Sequence, residues 1–128
     1  MLDHIGITVS DFGRSKAFYT KALAPLSIAV IKEVSAEDTG AHRHAGFGKD
    51  GKPFFWIGDG AKSAGAVHIA FTALSRADVE AFYRAALAAG GKDNGAPGPR
   101  PHYHANYFGA FIFDPDGNNI EAVWHGAR

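Results

Sequence analysis

The second half of this chain restates its first half, and that repetition narrows what it can fold into more than any other feature. HIGITVSDFGRSKAFYTKALA (His4 to Ala24) laid over HIAFTALSRADVEAFYRAALA (His68 to Ala88) at a constant offset of 64 residues gives nine identities in 21 positions. Three are alanines. The other six are His4 with His68, Ile5 with Ile69, Thr8 with Thr72, Phe18 with Phe82, Tyr19 with Tyr83, and Leu23 with Leu87. An offset of half the 128 residues means two copies of one supersecondary module.

Each copy opens with an alternating strand. Ile5, Ile7 and Val9 stand against His4, Gly6 and Thr8, and Val67, Ile69 and Phe71 against His68, Ala70 and Thr72. The bulky rows are expected to face a helix layer. A helix follows each strand: Ser75 and Asp78 form a capping-box-like start for the second and Gly90-Gly91 a stop, while Ser10 or Asp11 caps the first. Further strands are expected at 28–35, 42–48 and 53–58, and at 101–104, 107–113 and 119–125. The Gly- and Pro-rich stretch Gly90 to Pro101 reads as a connection that includes an irregular edge strand, and Gly58 to Ala66 as the link between modules. The fold class is therefore α+β: one domain, 1–128, of two β-α-β-β-β modules at about 1–60 and 65–128.

Composition removes several partners. Thirteen basic residues balance 13 acidic ones, so no excess positive field exists for nucleic acid or an anionic membrane, and a small-molecule ligand is expected instead. No segment approaches the roughly 20 apolar residues of a membrane span, and the N-terminus lacks a leader pattern, so the expected location is cytoplasmic. With no cysteine and seven histidines, any metal must be held by nitrogen and oxygen.

One carboxylate has a conspicuous setting. In DPDGNNIEAVW, Glu121 sits among Ile120, Ala122, Val123 and Trp124. A charge in an apolar strand either points to water or has a partner that offsets its desolvation. Alternation puts Ile120, Ala122 and Trp124 on one face and Glu121, Val123 and His125 on the other. If the helices cover the bulky faces, His4, His68 and Glu121 all project from the opposite, concave side. Two imidazoles and one carboxylate form a facial set suited to Fe(II) or Mn(II), and Zn(II) accepts the same donors. In RPHYHANY, Arg100 to Tyr107, His102 and His104 would share a strand face, and either would serve as a general base.

With DHIGITVSD plus SKAFY, VHIAF plus EAFY, and FDPDGNNIEAV, the whole chain resembles the vicinal-oxygen-chelate superfamily of glyoxalase I, type I extradiol dioxygenases, and fosfomycin- and bleomycin-resistance proteins. The resemblance implies paired modules forming a half-open mixed β-barrel with helices outside, and a homodimer whose sites lie within one chain or across two. It implies one divalent ion on His4, His68 and Glu121. Aligning the turns KDGKPFFWI and PDGNNIEAV pairs Glu121 with Phe55, which cannot ligate, so three protein ligands are expected where glyoxalase I-like enzymes use four.

The implied function is a metal-dependent enzyme, glyoxalase- or extradiol-dioxygenase-like, acting on a small substrate chelated through vicinal oxygens. His102 or His104, helped by Tyr103 or Tyr107, would move a proton, and Phe55 and Arg100 would border the substrate. A fosfomycin-resistance-like transferase, a lyase or isomerase, and a non-catalytic bleomycin-resistance-like binder are the alternatives.

Overall fold

A computed structural model describes residues 2–39, 42–60 and 66–126. The first module runs β1 (Ile5–Thr8), α1 (Phe12–Leu23), a short 3-10 turn (Ala24–Leu26), β2 (Ala29–Val34), α2 (Ala36–Thr39), β3 (His44–Lys49) and β4 (Lys52–Gly58). The second runs β5 (His68–Thr72), α3 (Arg76–Ala88), β6 (Lys92–Pro99), β7 (Phe108–Phe113) and β8 (Asn119–Trp124). Residues 61–65 of the intermodule link lie outside the described residues.

The two halves adopt the same topology, two open four-stranded mixed sheets ordered β1-β4-β3-β2 and β5-β8-β7-β6. In each, the first strand runs parallel to the last, with Ile5 opposite Phe55 and Ile69 opposite Ile120, and the other pairs are antiparallel. Both helices start where a side chain takes the free N–H groups of the first turn: Asp11 accepts from Arg14 N and Ser75 from Asp78 N, each at 3.1 Å. Of the two sequence candidates for the first cap, Asp11 holds the position. Gly90, at φ +101°, ends α3 in the left-handed region.

The bulky row of β5 turns inward as expected, whereas in β1 Ile5 is exposed and Ile7 half-buried. β5 alternates exposed and buried, with Ile69 and Phe71 inward and His68, Ala70 and Thr72 outward. Tyr19 of α1 packs on Phe47 and Phe55, and the Phe55 ring meets Phe71 of the other module edge-on at 5.3 Å. The modules are also joined by polar groups. Buried Asp114, in the turn before β8, accepts from Tyr19 OH at 2.5 Å, from Asn118 N at 2.8 Å and Nδ2 at 2.9 Å, and from Asp116 N at 3.0 Å. Asp116 accepts in turn from Ser10 N, just before α1. Burial, then the Asp114 carboxylate, pushes the Tyr19 hydroxyl well above the ordinary tyrosine value, so it remains a donor. The DPDGNN motif is thus a clamp between halves as well as a turn.

Two strand expectations change. The Gly/Pro-rich segment contains the whole edge strand β6, while 101–104, expected as a strand, is a turn closed by Tyr103 N to Arg100 O at 2.9 Å, with a second turn from Tyr107 N to His104 O. β6 tolerates Gly and Pro because it lies at an edge and pairs with β7 through two register breaks.

Candidate functional site

Glu121 is 1% exposed, and both of its oxygens are engaged. His68 Nε2 lies 2.8 Å from Oε1, and the Tyr107 hydroxyl donates to Oε2. β8 supplies the carboxylate, the adjacent parallel strand β5 supplies His68, and the residue just before β7 supplies Tyr107. Gly109 makes this possible. A Cβ there would stand 3.2 Å from the Tyr107 ring and 3.4 Å from Glu121 Oε2, crowding the place where the two meet. Burial first, then the hydrogen bond and charge of Glu121, pushes the Tyr107 hydroxyl far above its ordinary value. Tyr107 therefore stays protonated and donates to Glu121.

His4 has a different setting. Its Nδ1 is 2.7 Å from Asp3 Oδ2, and Lys52 Nζ reaches both oxygens of Asp3 at 2.8 and 3.0 Å. Lys52 and, after it, His4 hold the Asp3 carboxyl below the usual carboxylate range. His4 and His68 both border a cavity of about 460 Å³ between the modules, with Leu2, Ile28, Phe54 and Thr72 among its other walls. Yet among the described residues no three His, Asp or Glu side chains come close enough to hold an ion. Within one chain His68 and Glu121 meet and His4 stands apart, so the three expected ligands do not converge there.

Two of the expected donors stand at the spacing of ligands on one ion. Two ligands at about 2.1 Å from one ion and at right angles lie about 3 Å apart, close to the observed His68–Glu121 separation of 2.8 Å. Asn119, opposite His68 in register, keeps a buried side-chain oxygen with no hydrogen-bond partner.

The position equivalent to Glu121 in the first module is Trp56, where turn alignment had put Phe55. Trp56 pairs with Gly6 and Gly46 as Glu121 pairs with Ala70 and Phe111. The shift arises at a register break in which Phe47 faces Phe55 but Gly48 faces Pro53, leaving Phe54 as an extra residue. Trp56 covers Gly46, where a Cβ would lie 2.8 Å from its ring. Phe55 borders the cavity but is wholly buried on the helix side.

The remaining candidates separate. Arg100 donates to the carbonyls of Ala96, Gly98 and Pro99 and lies over the Phe111 ring, stitching β6 in place; it does not line the cavity. His102 and Tyr103 are exposed, their rings tilted against each other with centroids 4.3 Å apart. His104 Nδ1 accepts from Asn106 N, so its proton sits on Nε2 and is donated to His125 Nδ1 at 2.8 Å. Both rings edge onto Tyr107. Because 101–104 is a turn, His102 and His104 do not share a strand face. His125 was not singled out beforehand, although the alternation that placed it with Glu121 was its signal.

Two paired β-α-β-β-β sheets, with a buried carboxylate on the last strand of the second and a histidine on its first, define the class of fold. The model of the Glyoxalase/Bleomycin resistance protein/Dioxygenase superfamily matches residues 1–122, and the chain belongs to that family. No curated protein matches it. Among solved structures it is similar to a glyoxalase/bleomycin resistance protein from Albidiferax ferrireducens T118, at 26% identity and TM-score 0.71, over 96% of this chain and 97% of that one. It is similar in fold to a glyoxalase I variant from Zea mays, at 24% identity and TM-score 0.73, over 95% of this chain but 45% of that one. A variant of the fosfomycin resistance protein FosX from Listeria monocytogenes, complexed with Mn(II) and 1S,2S-dihydroxypropylphosphonic acid, matches in fold at 19% identity and TM-score 0.67, over 95% of this chain and 87% of that one.

Proposed function

We propose that this protein is a metal-dependent enzyme acting on a small organic substrate through two adjacent oxygens. The observation that carries this reading is the buried Glu121 carboxylate held between His68 and Tyr107. Glu121 and His68 hold the ion from one chain, and His4 comes from a second copy. His4 and the His68–Ala70–Thr72 row are all exposed on the single chain, ready to be covered by such a copy. Two nitrogens and one oxygen favour Fe(II) or Mn(II), with Zn(II) also accommodated. The ion supplies Lewis acidity and a template for the substrate oxygens.

The chain's own groups do the rest. Tyr107 orients Glu121, and the hydrogen-bonded His104–His125 pair edges onto the Tyr107 ring as the candidate proton carrier. Leu2, Ile28 and Phe54 give the cavity an apolar wall. A glyoxalase- or dioxygenase-like substrate suits this wall better than a phosphonate, because Arg43 is paired with Asp59, Arg100 with backbone carbonyls, and Lys49 is the one lysine or arginine among the described residues that borders the cavity.

The test is metal content of anaerobically purified protein beside His4→Ala, His68→Ala and Glu121→Ala, each checked for folding. One ion per chain, absent from all three variants, supports the reading, and iron would direct substrate screening to catechols. A wild type that neither holds nor takes up metal leaves a non-catalytic binder. Co-expressing His4→Ala with Glu121→Ala separates the two geometries. A shared site restores one intact centre per mixed dimer, whereas a site within one chain restores none.

A further inference from the structure

The two symmetry-related histidines are prepared through different nitrogens. His68 meets Glu121 through Nε2, whereas His4 meets Asp3 through Nδ1. An ionised carboxylate has no proton to give, so in the His4–Asp3 contact the ring must donate. A neutral His4 then carries its proton on Nδ1 and leaves the Nε2 lone pair bare. Which ring nitrogen is free to bind an ion is set by the hydrogen bond the other one makes.

Asp3 is itself held. Lys52, at the start of β4, reaches both its oxygens, and β4 is the strand that pairs with β1 directly after His4. The contact therefore crosses from the N-terminal segment to a neighbouring strand and fixes the carboxylate beside the ring. Exposed ion pairs add little to stability, and Asp3, His4 and Lys52 are all exposed, so the consequence of this chain of contacts lies in orientation. The second module has no counterpart: the residue before His68 is Val67.

We infer that Asp3, braced by Lys52, is a positioning residue that sets His4 in the Nδ1–H tautomer and presents Nε2 as a metal ligand. This rests on the reading of His4 as a ligand, and it adds a role for two residues outside the ligand set. Removing such an outer partner lowers metal affinity by about 10–100-fold.

The experiment reads the tautomer directly in the metal-free full-length protein, by long-range 1H–15N correlation on 15N-histidine-labelled protein above the histidine titration range. It then reads Mn(II) affinity from loss of the free-ion EPR signal. His4 is expected as Nδ1–H in the wild type. In Asp3→Ala it shifts toward Nε2–H, with Mn(II) affinity down about 10–100-fold. Asp3→Asn, which keeps an acceptor oxygen, restores the tautomer and recovers part of the affinity. An Nε2–H His4 in the wild type overturns the inference, and so does an Asp3→Ala protein with unchanged tautomer and unchanged affinity. If the wild type binds Mn(II) and Asp3→Ala binds it equally, this inference fails while the metal reading stands. If the wild type binds no metal, both fall.

Discussion

The two modules share a fold and differ in what stands on their concave faces. In the first, Trp56 lies over Gly46 and fills the space with an indole. In the second, the equivalent position is Glu121, with Gly109 leaving room for Tyr107 to reach it. Identical strand order and identical parallel pairing of first and last strands have thus carried an indole at one position and a carboxylate at its counterpart. The backbone sets where a side chain can go, and one residue per module decides what is done there.

The contrast can be broken most severely at Glu121. Glu121→Ala makes the second module as bare as the first, and a stoichiometric ion should no longer survive dialysis, as elemental analysis will read. The link between the halves comes next. Asp114→Ala strands the Tyr19 hydroxyl and three N–H donors of the turn, and should cost about 3 kcal/mol or more, with Tyr19→Phe costing about 1.5–3 kcal/mol, both measured by urea unfolding. Tyr107→Phe leaves the fold intact but frees Glu121, with an expected loss of about 10–100-fold in metal affinity by titration. Gly46→Ala forces Trp56 from its seat in the first module and should cost about 1–3 kcal/mol by thermal melting, with metal content unchanged.

The smallest effect concerns the edge strand of the second module. The Gly95 N–H, then the Tyr83 hydroxyl, hold the Asp93 carboxyl below its ordinary value. A carboxyl lowered in the folded state stabilises above its unfolded value of about 4, and this contribution is lost as pH falls through the lower folded value. Asp93→Asn should therefore be less stable than wild type at pH 7, and the gap should close in acid.

Much of the architecture was legible because it rests on local rules: the repeat, the alternation of β5, and the caps at Asp11 and Ser75. β6 was legible only in part, since Gly and Pro signal a connection and only neighbouring β7 shows that the segment pairs. The Phe55 assignment failed by one residue because counting from a turn cannot see the extra residue at Phe54. Pairing of His68 with Glu121 followed from face alternation, whereas Tyr107, Gly109 and Asp3 belong to contacts that no periodicity encodes. His4 shows the limit most clearly. Its position in the repeat says that it matches His68, but the repeat is silent on whether the two ever serve the same ion.

The Tyr19–Asp114 clamp has a consequence for the history of such a chain. A duplicated protein can in principle be cut back to a single self-pairing half, so long as each half keeps all its partners at home. Here the phenol belongs to the first copy and the carboxylate to the second, and both are buried. The first half alone would strand the Tyr19 hydroxyl, whereas Asp114 would keep the three donors of its own turn, so the first copy has come to depend on the second more than the second on the first.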